Sequence, residues 1–509
     1  SVQPIETELG RKRTIDQTAC NRDLTCVSGF CPAIVTVKGA SPRKAAPATL
    51  DGLAALPPRM VPVPLGAKPF SVILAGTGGT GVVTLGAIMG MAAHLEGKGA
   101  GVMDMAGLAQ KGGIVLTHVK LAENAADISA IRVAAEEADL VLGCDLVAAA
   151  SRKVVAAIRK NDTALVANVA ALYPGEITRR PEYVLPQARL QKQLATAAGA
   201  TARFLDATKT ATTLLGTSLA ANMIMLGFAW QSGLVPLAEL SIDRAIELNG
   251  EAVEMNRRAF ALGRRAAAYP EEVAAMVAAA LPAARREAPA RTLAEIVARR
   301  AATLTAYQDA AYAARFEAMV ARAEAAERVH APGSTRLAEA VARSYFKLLA
   351  IKDEYEVARL YSDGSFAKQM GETFEGDLAV SYHLAPPVLG RRDAQGRPVK
   401  SKLGPWMARL FPLLAKGKHL RGTRFDLFGR SEERRTERAM ITGYEAVMDE
   451  IFAKLSPENL DGAVAIAALP QKVRGFGHVK EAARLAAKAE EATLLASWRE
   501  TAPLRLAAE

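Results

Sequence analysis

From Phe70 onward the chain sets short, continuous apolar runs between longer stretches of helical periodicity. The runs are Ser71–Ala75, Gly101–Met105, Ile114–Leu121, Leu140–Cys144, Ala164–Asn168 and Arg203–Asp206. Runs of this length without polar alternation suit strands covered on both faces, and helical stretches lie between several of them. The pattern predicts an α/β fold with a largely parallel, doubly covered sheet, followed by a helical tail to about Ala268. The longest uncharged run, Thr210–Ala238, exceeds a membrane span in length. It carries Thr212, Thr213, Thr217, Ser218, Asn222, Gln231 and Ser232 as well as Gly and Pro breaks, so it reads as a buried core helix and a loop.

Beyond Glu271 strand signals nearly vanish. Glu271–Ala283, Thr292–Arg328 and Thr335–Tyr361 repeat apolar residues at three- and four-residue spacing, the period of an amphipathic helix. Tyr382–Lys418 interrupts this with five prolines, and helices return at Glu432–Leu455 and His478–Ala496. Upstream, residues 1–37 form a small cysteine-bearing module. Residues 38–69, with Pro42, Pro47, Pro57, Pro58, Pro62 and Pro64, have no apolar periodicity and read as a linker or an extended segment hugging a surface. The expected domains are therefore 1–37, a linker over 38–69, an α/β domain over 70–268 and a helical domain over 290–505. The opening S-V-Q-P-I-E-T-E-L-G reads like the middle of a domain, so a preceding portion is expected.

A length of 509 residues agrees with two or three domains. Half the residues are apolar but only 5% are aromatic, an alanine-rich balance suited to closely packed helices. The net charge of +11 is spread among acidic residues with no basic stripe interleaved with aromatics, which argues against a nucleic-acid partner. The same balance suits an acidic electron carrier or a phosphorylated cofactor. No secretory or membrane-spanning segment is read; four cysteines in so long a chain form no disulfide framework, which fits a reducing cytoplasm.

Chemistry concentrates in three places. Gly76, Gly78 and Gly81, with Gly79 between them, stand in GxGxxG spacing between a strand and a helix. There, absent side chains permit a tight turn and the helix offers unpaired N–H groups to an anion. Asp104 follows at an interval that suits a ribose hydroxyl, which keeps open a nicotinamide-dependent dehydrogenase. Gln110-Lys111-Gly112-Gly113 forms a second glycine turn, with Lys111 available to a phosphate or carboxylate. Cys20, Cys26 and Cys31 stand in C-x5-C-x4-C spacing before Pro32, which suits an iron–sulfur cluster, with zinc or three ordinary thiols as alternatives. Cys144 reads as a buried small hydrophobe, and His94 and His118 as structural. Arg and aromatic clusters at Phe346–Tyr361, Arg421–Arg430 and Arg474–Lys480 read as buried ion pairs and stacking.

C-N-R-D-L-T-C-V-S-G-F-C-P (Cys20–Pro32), A-G-T-G-G-T-G-V-V-T-L-G (Ala75–Gly86) and D-M-A-G-L-A-Q-K-G-G (Asp104–Gly113) together resemble the fused indolepyruvate:ferredoxin oxidoreductases. L-G-F-A-W-Q-S-G-L-V-P (Leu226–Pro236), K-D-E-Y-E-V-A-R-L-Y (Lys352–Tyr361) and R-G-F-G-H-V-K continue the resemblance in order. It implies a ferredoxin-like remnant, a Rossmann-like gamma domain of the 2-oxoacid:ferredoxin oxidoreductase superfamily over 70–268, and a mostly α-helical C-terminal domain. It also implies oxidative decarboxylation of aryl 2-oxoacids on thiamine diphosphate, acyl transfer to coenzyme A, and electrons passed through [4Fe–4S] clusters to ferredoxin. Cys20, Cys26 and Cys31 would then be cluster ligands, an incomplete set. Gly76, Gly78, Gly79, Gly81, Gln110, Lys111, Gly112 and Gly113 would close over the thiamine site or cradle coenzyme A phosphates. No G-D-G signature occurs, so thiamine diphosphate and Mg2+ are expected on another portion or subunit, the full enzyme as a cytoplasmic homo-oligomer, and this polypeptide alone as inactive. A non-catalytic scaffold subunit is the other alternative.

Overall fold

The computed structural model describes residues 2–8, 10–17, 20, 22–28, 33–43, 55–107, 113–170, 172–173, 177, 183–280, 292–385, 391–392, 398–475 and 477–501. The chain divides into two compact units, one of residues 1–22 and 44–287, the other of residues 23–43 and 288–509.

The first unit is built on a six-stranded sheet. Its strands are β1 (Phe70–Thr77), β2 (Gly99–Ala106), β3 (Ile114–Ala122), β4 (Leu140–Gly143), β5 (Ala164–Asn168) and β6 (Ala202–Leu205), in the order β2-β3-β1-β4-β5-β6. All six coincide with the apolar runs. The β1, β4, β5 and β6 pairings are parallel, whereas β3 is antiparallel to both β1 and β2. Only seven residues separate β2 from β3, too few for a crossover helix, so the chain must turn back as a hairpin.

Helix α1 (Val82–Leu95) covers one face of the sheet, burying Leu85, Ile88 and Met89 against Val72, Leu74, Val119 and Leu121. On the other face lie α2 (Leu146–Ala149), α3 (Arg152–Ala157) and α4 (Gln187–Ala198), which pack on Ile73, Ala75, Leu116, Val141 and Leu165. The remaining helices are α5 (Ala207–Leu214), α6 (Ala221–Gln231), α7 (Glu239–Asn249), α8 (Val253–Ala268) and α9 (Pro270–Ala280). The uncharged run thus forms α5, α6 and a loop, with ten of the eleven α6 residues buried. Helices α6 and α8 cross backbone against backbone. A Cβ on Gly227 would lie 2.0 Å from the Phe260 carbonyl oxygen, and one on Gly263 equally close to that of Ile224. Alanine-rich helices with glycine at the crossing can approach this closely; larger side chains would hold them apart.

Residues 55–66 run extended along this unit. Met60 N–H donates to Gln231 O (3.0 Å), Val63 N–H to Gly233 O (2.9 Å), and the Arg59 guanidinium lies 4.6 Å from the Trp230 ring centre. The first residues of the expected linker behave otherwise. Lys38–Pro42 complete the strand Val35–Pro42, which belongs to the second unit.

The second unit carries α10 (Leu293–Tyr307), α11 (Ala310–His330), α12 (Arg336–Leu349), α13 (Glu354–Ser362), α14 (Ser365–Thr373), β7 (Phe374–Leu384), β8 (Ser401–Leu403), α15 (Met407–Lys416), α16 (Glu432–Ala453), α17 (Leu460–Ala468) and α18 (Gly477–Thr501). Its core stacks Phe316 on Tyr345 and Tyr345 on Tyr444, at 6.4 and 6.0 Å between ring centres. Strand β7 pairs antiparallel with Val35–Pro42 on one side and with β8 on the other. Neither β7 nor α17 is among the elements read from the sequence, and α15 is helical despite Pro412.

Two of the three Arg-rich clusters supply ion pairs, that of Arg421 with Asp353 being buried. Arg421 grips Asp353 with two hydrogen bonds, 2.6 and 2.8 Å, and lies 3.7 Å over the Tyr307 ring. Arg359 holds Glu356 in the same two-point fashion, at 2.8 and 2.7 Å. Among the described residues no helix is long and apolar enough to cross a membrane.

Candidate functional site

Strand β1 is buried along its whole length and ends in the glycine loop. At Gly76 a Cβ would meet Val82 Cγ2 at 2.5 Å and Cys144 Cβ at 3.3 Å, so no larger residue fits between the strand end and α1. Gly79 (φ +84°) and Gly81 (φ +90°) adopt left-handed conformations that favour glycine, and both are exposed. The turn closes through Thr80, whose N–H and hydroxyl both donate to Thr77 O. Asn222 Nδ2 then donates to Thr80 O at 2.8 Å, tying the loop to α6. The left-handed Gly81 caps α1, leaving first-turn N–H groups at the exposed rim, where an anion is favoured.

Gly78 N–H donates to Gly113 O at 2.8 Å. That bond brings the described end of the second glycine turn against the first loop. Gln110, Lys111 and Gly112 lie outside the described residues.

Asp104 does not take the place a dinucleotide fold requires. Its strand, β2, is separated from β1 by the antiparallel β3, which puts it two strand spacings, roughly 10 Å, from the glycine strand. Its carboxylate instead accepts the Thr117 hydroxyl across the hairpin. The nicotinamide reading loses its ribose ligand for this topological reason.

On the sheet face away from α1, strand β3 carries two buried polar side chains that sequence reasoning passed over or read as merely structural. His118 and Lys120 alternate with Thr117 and Val119 in T-H-V-K, so period two puts both on one face. Lys120 Nζ donates to Ser71 Oγ at 2.8 Å and pairs with Glu137, whose other oxygen accepts Ala134 N–H at 2.6 Å. His118 Nδ1 accepts Val133 N–H at 3.0 Å. These contacts clasp the loop before β4. Burial first, then Arg132, Lys120 and Lys153, hold the imidazole below the ordinary histidine range, so it is neutral near pH 7. With Nδ1 accepting, the ring proton sits on Nε2, which has no hydrogen-bond partner.

Cys144 is buried where β4 ends, and burial, with adjacent Asp145, pushes its thiol up to about 12. It behaves as the expected small hydrophobe. Cys20 and Cys26 are half-buried and unbridged, and fall in the first and second unit respectively; Cys31 lies outside the described residues. Among the described residues no group of three or more His, Cys, Asp or Glu side chains could hold a metal ion. Among the described residues Cys20, Cys26 and Cys144 are not brought together in one group.

Residues 71–266 match the family model for pyruvate ferredoxin/flavodoxin oxidoreductases, and residues 293–493 match a family of unknown function, DUF6537. No curated protein matches the chain. Among solved structures, the gamma subunit of a keto/oxoacid ferredoxin oxidoreductase from Geobacter sulfurreducens is 20% identical over 39% of this chain and 98% of its own, with a TM-score of 0.28. Pyruvate oxidoreductase subunit PORC from Thermotoga maritima is 20% identical over 39% and 96%, with a TM-score of 0.29. A 2-oxoglutarate:ferredoxin oxidoreductase from Magnetococcus marinus is 20% identical over 39% of this chain and 31% of its own, at 0.30.

Proposed function

We propose that this chain is part of a 2-oxoacid:ferredoxin oxidoreductase acting on indolepyruvate or related aryl 2-oxoacids, yielding the aryl-acetyl thioester of coenzyme A and passing electrons to ferredoxin. The observation that carries this reading is the match of residues 71–266 to the pyruvate ferredoxin/flavodoxin oxidoreductase family. The meeting of Gly78 with Gly113 supports a shared role for the two glycine segments, beside the exposed Gly79 and Gly81 and the first-turn N–H groups of α1. In this reading the rim, with Gln110, Lys111 and Gly112, receives the phosphates of coenzyme A or closes over the thiamine diphosphate of a partner portion.

Thiamine diphosphate, when bound with Mg2+, supplies the electron sink that makes loss of CO2 feasible. This chain's contribution is to orient the anionic co-substrate and to exclude water at the glycine rim. Cys20, Cys26 and Cys31 belong, on this reading, to an iron–sulfur ligand set completed by another residue. The assembly is cytoplasmic and homo-oligomeric.

The test combines the protein anaerobically with a thiamine-binding partner portion and follows ferredoxin reduction with indolepyruvate and coenzyme A. Gly78→Val is expected to raise the KM for coenzyme A or to prevent assembly. Full activity of that variant would remove the role given to the rim. Failure of the wild-type mixture to reduce ferredoxin would favour a non-catalytic scaffold.

A further inference from the structure

The clasp built by His118 and Lys120 borders a cavity of about 470 Å3, a volume suited to a small molecule rather than one ordered water. Ile73, Met105 and Leu116 give it an apolar floor, and His118, Arg132 and Lys153 supply its polar groups. Among the described residues no acidic side chain lines it. Lys120, the other cation of this face, is neutralised by Glu137, whereas Arg132 and Lys153 make no ion pair among the described residues. His118 is only 5% exposed, and its Nε2–H is an unsatisfied buried donor. A buried donor left without an acceptor is destabilising, so an acceptor arriving there removes a standing penalty. An orphaned donor beside two uncompensated cations over an apolar floor has one chemical complement: a small anion with a hydrocarbon body.

We propose that this cavity binds a small organic carboxylate. Its oxygens are held by Arg132, Lys153 and the His118 Nε2–H, and its apolar chain or ring lies on Ile73, Met105 and Leu116. Arg132 supplies a planar fork that matches a carboxylate, and Lys153 a point charge. The site lies on the sheet face opposite α1 and uses none of the glycine-turn residues. It therefore stands or falls independently of the reading given above.

Titration calorimetry of the full chain with acetate, butyrate and hexanoate tests this, with inorganic phosphate as an anion lacking a hydrocarbon body. The expected result is one saturable site whose affinity rises about fourfold per added methylene, the value of a buried CH2. Phosphate should bind more weakly than hexanoate. The double variant Arg132→Gln/Lys153→Gln changes only exposed side chains and should keep the wild-type circular dichroism while losing roughly tenfold or more in hexanoate affinity, the worth of a charge-assisted hydrogen bond. His118→Asn should weaken hexanoate with the same chain-length dependence. Absence of saturable binding at millimolar carboxylate would overturn the proposal, as would binding indifferent to the double variant. Binding of poly-glutamate without binding of the short carboxylates would also overturn it, assigning the two cations to a macromolecular contact.

Discussion

The crossing of α6 and α8 gives a quantitative test of the packing. In Gly227→Ala the new methyl would start 2.0 Å from the Phe260 carbonyl oxygen, 2.9 Å from its carbonyl carbon and 3.1 Å from Arg264 N. Real Cβ contacts essentially never fall below 3.0 Å, so the two helices must part by about 1 Å. All three atoms belong to backbone, and no side-chain rotation relieves the clash. Overpacking of this kind costs roughly 1–3 kcal/mol, against which alanine recovers up to about 1 kcal/mol of helix propensity. The matched control is Gly443→Ala in α16, an exposed helical position where a Cβ meets nothing within 4 Å and only the propensity gain operates. Calorimetric melting should show Gly227→Ala lowering the transition of the first unit by a few degrees, at about 2–4 °C per kcal/mol for a unit of this size. Gly443→Ala should leave its own transition unchanged or raised. The near-ultraviolet signal of Trp230, carried on α6, should change in the first variant alone. A Gly227→Ala protein melting at or above the wild type would refute the reasoning.

Arg421→Met leaves Asp353 buried without its guanidinium and should cost about 3–5 kcal/mol in urea unfolding, while Arg421→Met/Asp353→Asn should recover most of that, because Asn retains the cap that Asp353 gives α13. For His118 the folded ring resists protonation, so its value lies below 6.5 in the folded protein and at about 6.5 when unfolded. The stability it permits is fully present above pH 6.5 and is lost as pH falls through 6.5 toward the folded value. The urea midpoint of the wild type should therefore drop more between pH 7 and pH 5 than that of His118→Asn. Cys144, with its thiol pushed up to about 12, should stay silent toward a thiol reagent at pH 8 in the native protein and react only on unfolding.

The six strands of the large sheet were legible because each centres on a short, mostly apolar run, and Gly76–Gly81 because glycine at fixed spacing is itself a signal. The reversal of β3 was equally available: the interval from Ala106 to Ile114 cannot hold a crossover helix. β7 hid because only its second half alternates. Leu378, Val380, Tyr382 and Leu384 follow period two, while Phe374–Asp377 contain Gly376 and two acids, and the pairing shifts register there. Helix α17 is nine apolar-rich residues with Gly462 inside, too short and too uniform to show a face. The polar face of β3 was the least visible. A histidine within a covered strand reads as structural, the lysine two residues on carries no motif, and nothing local marks Nε2 as unpartnered.

The pairing of Val35–Pro42 with β7 joins residues more than three hundred positions apart in the chain. A ribosome delivers the first of these strands long before the second exists, so the nascent protein holds an open hydrogen-bonding edge through most of its synthesis. Excising residues 290–505 as an autonomous helical domain would sever that partnership, turning β7 into a frayed border prone to recruit a neighbouring molecule. Expression trials that append residues 33–43 to that fragment should remain monomeric where the bare fragment aggregates.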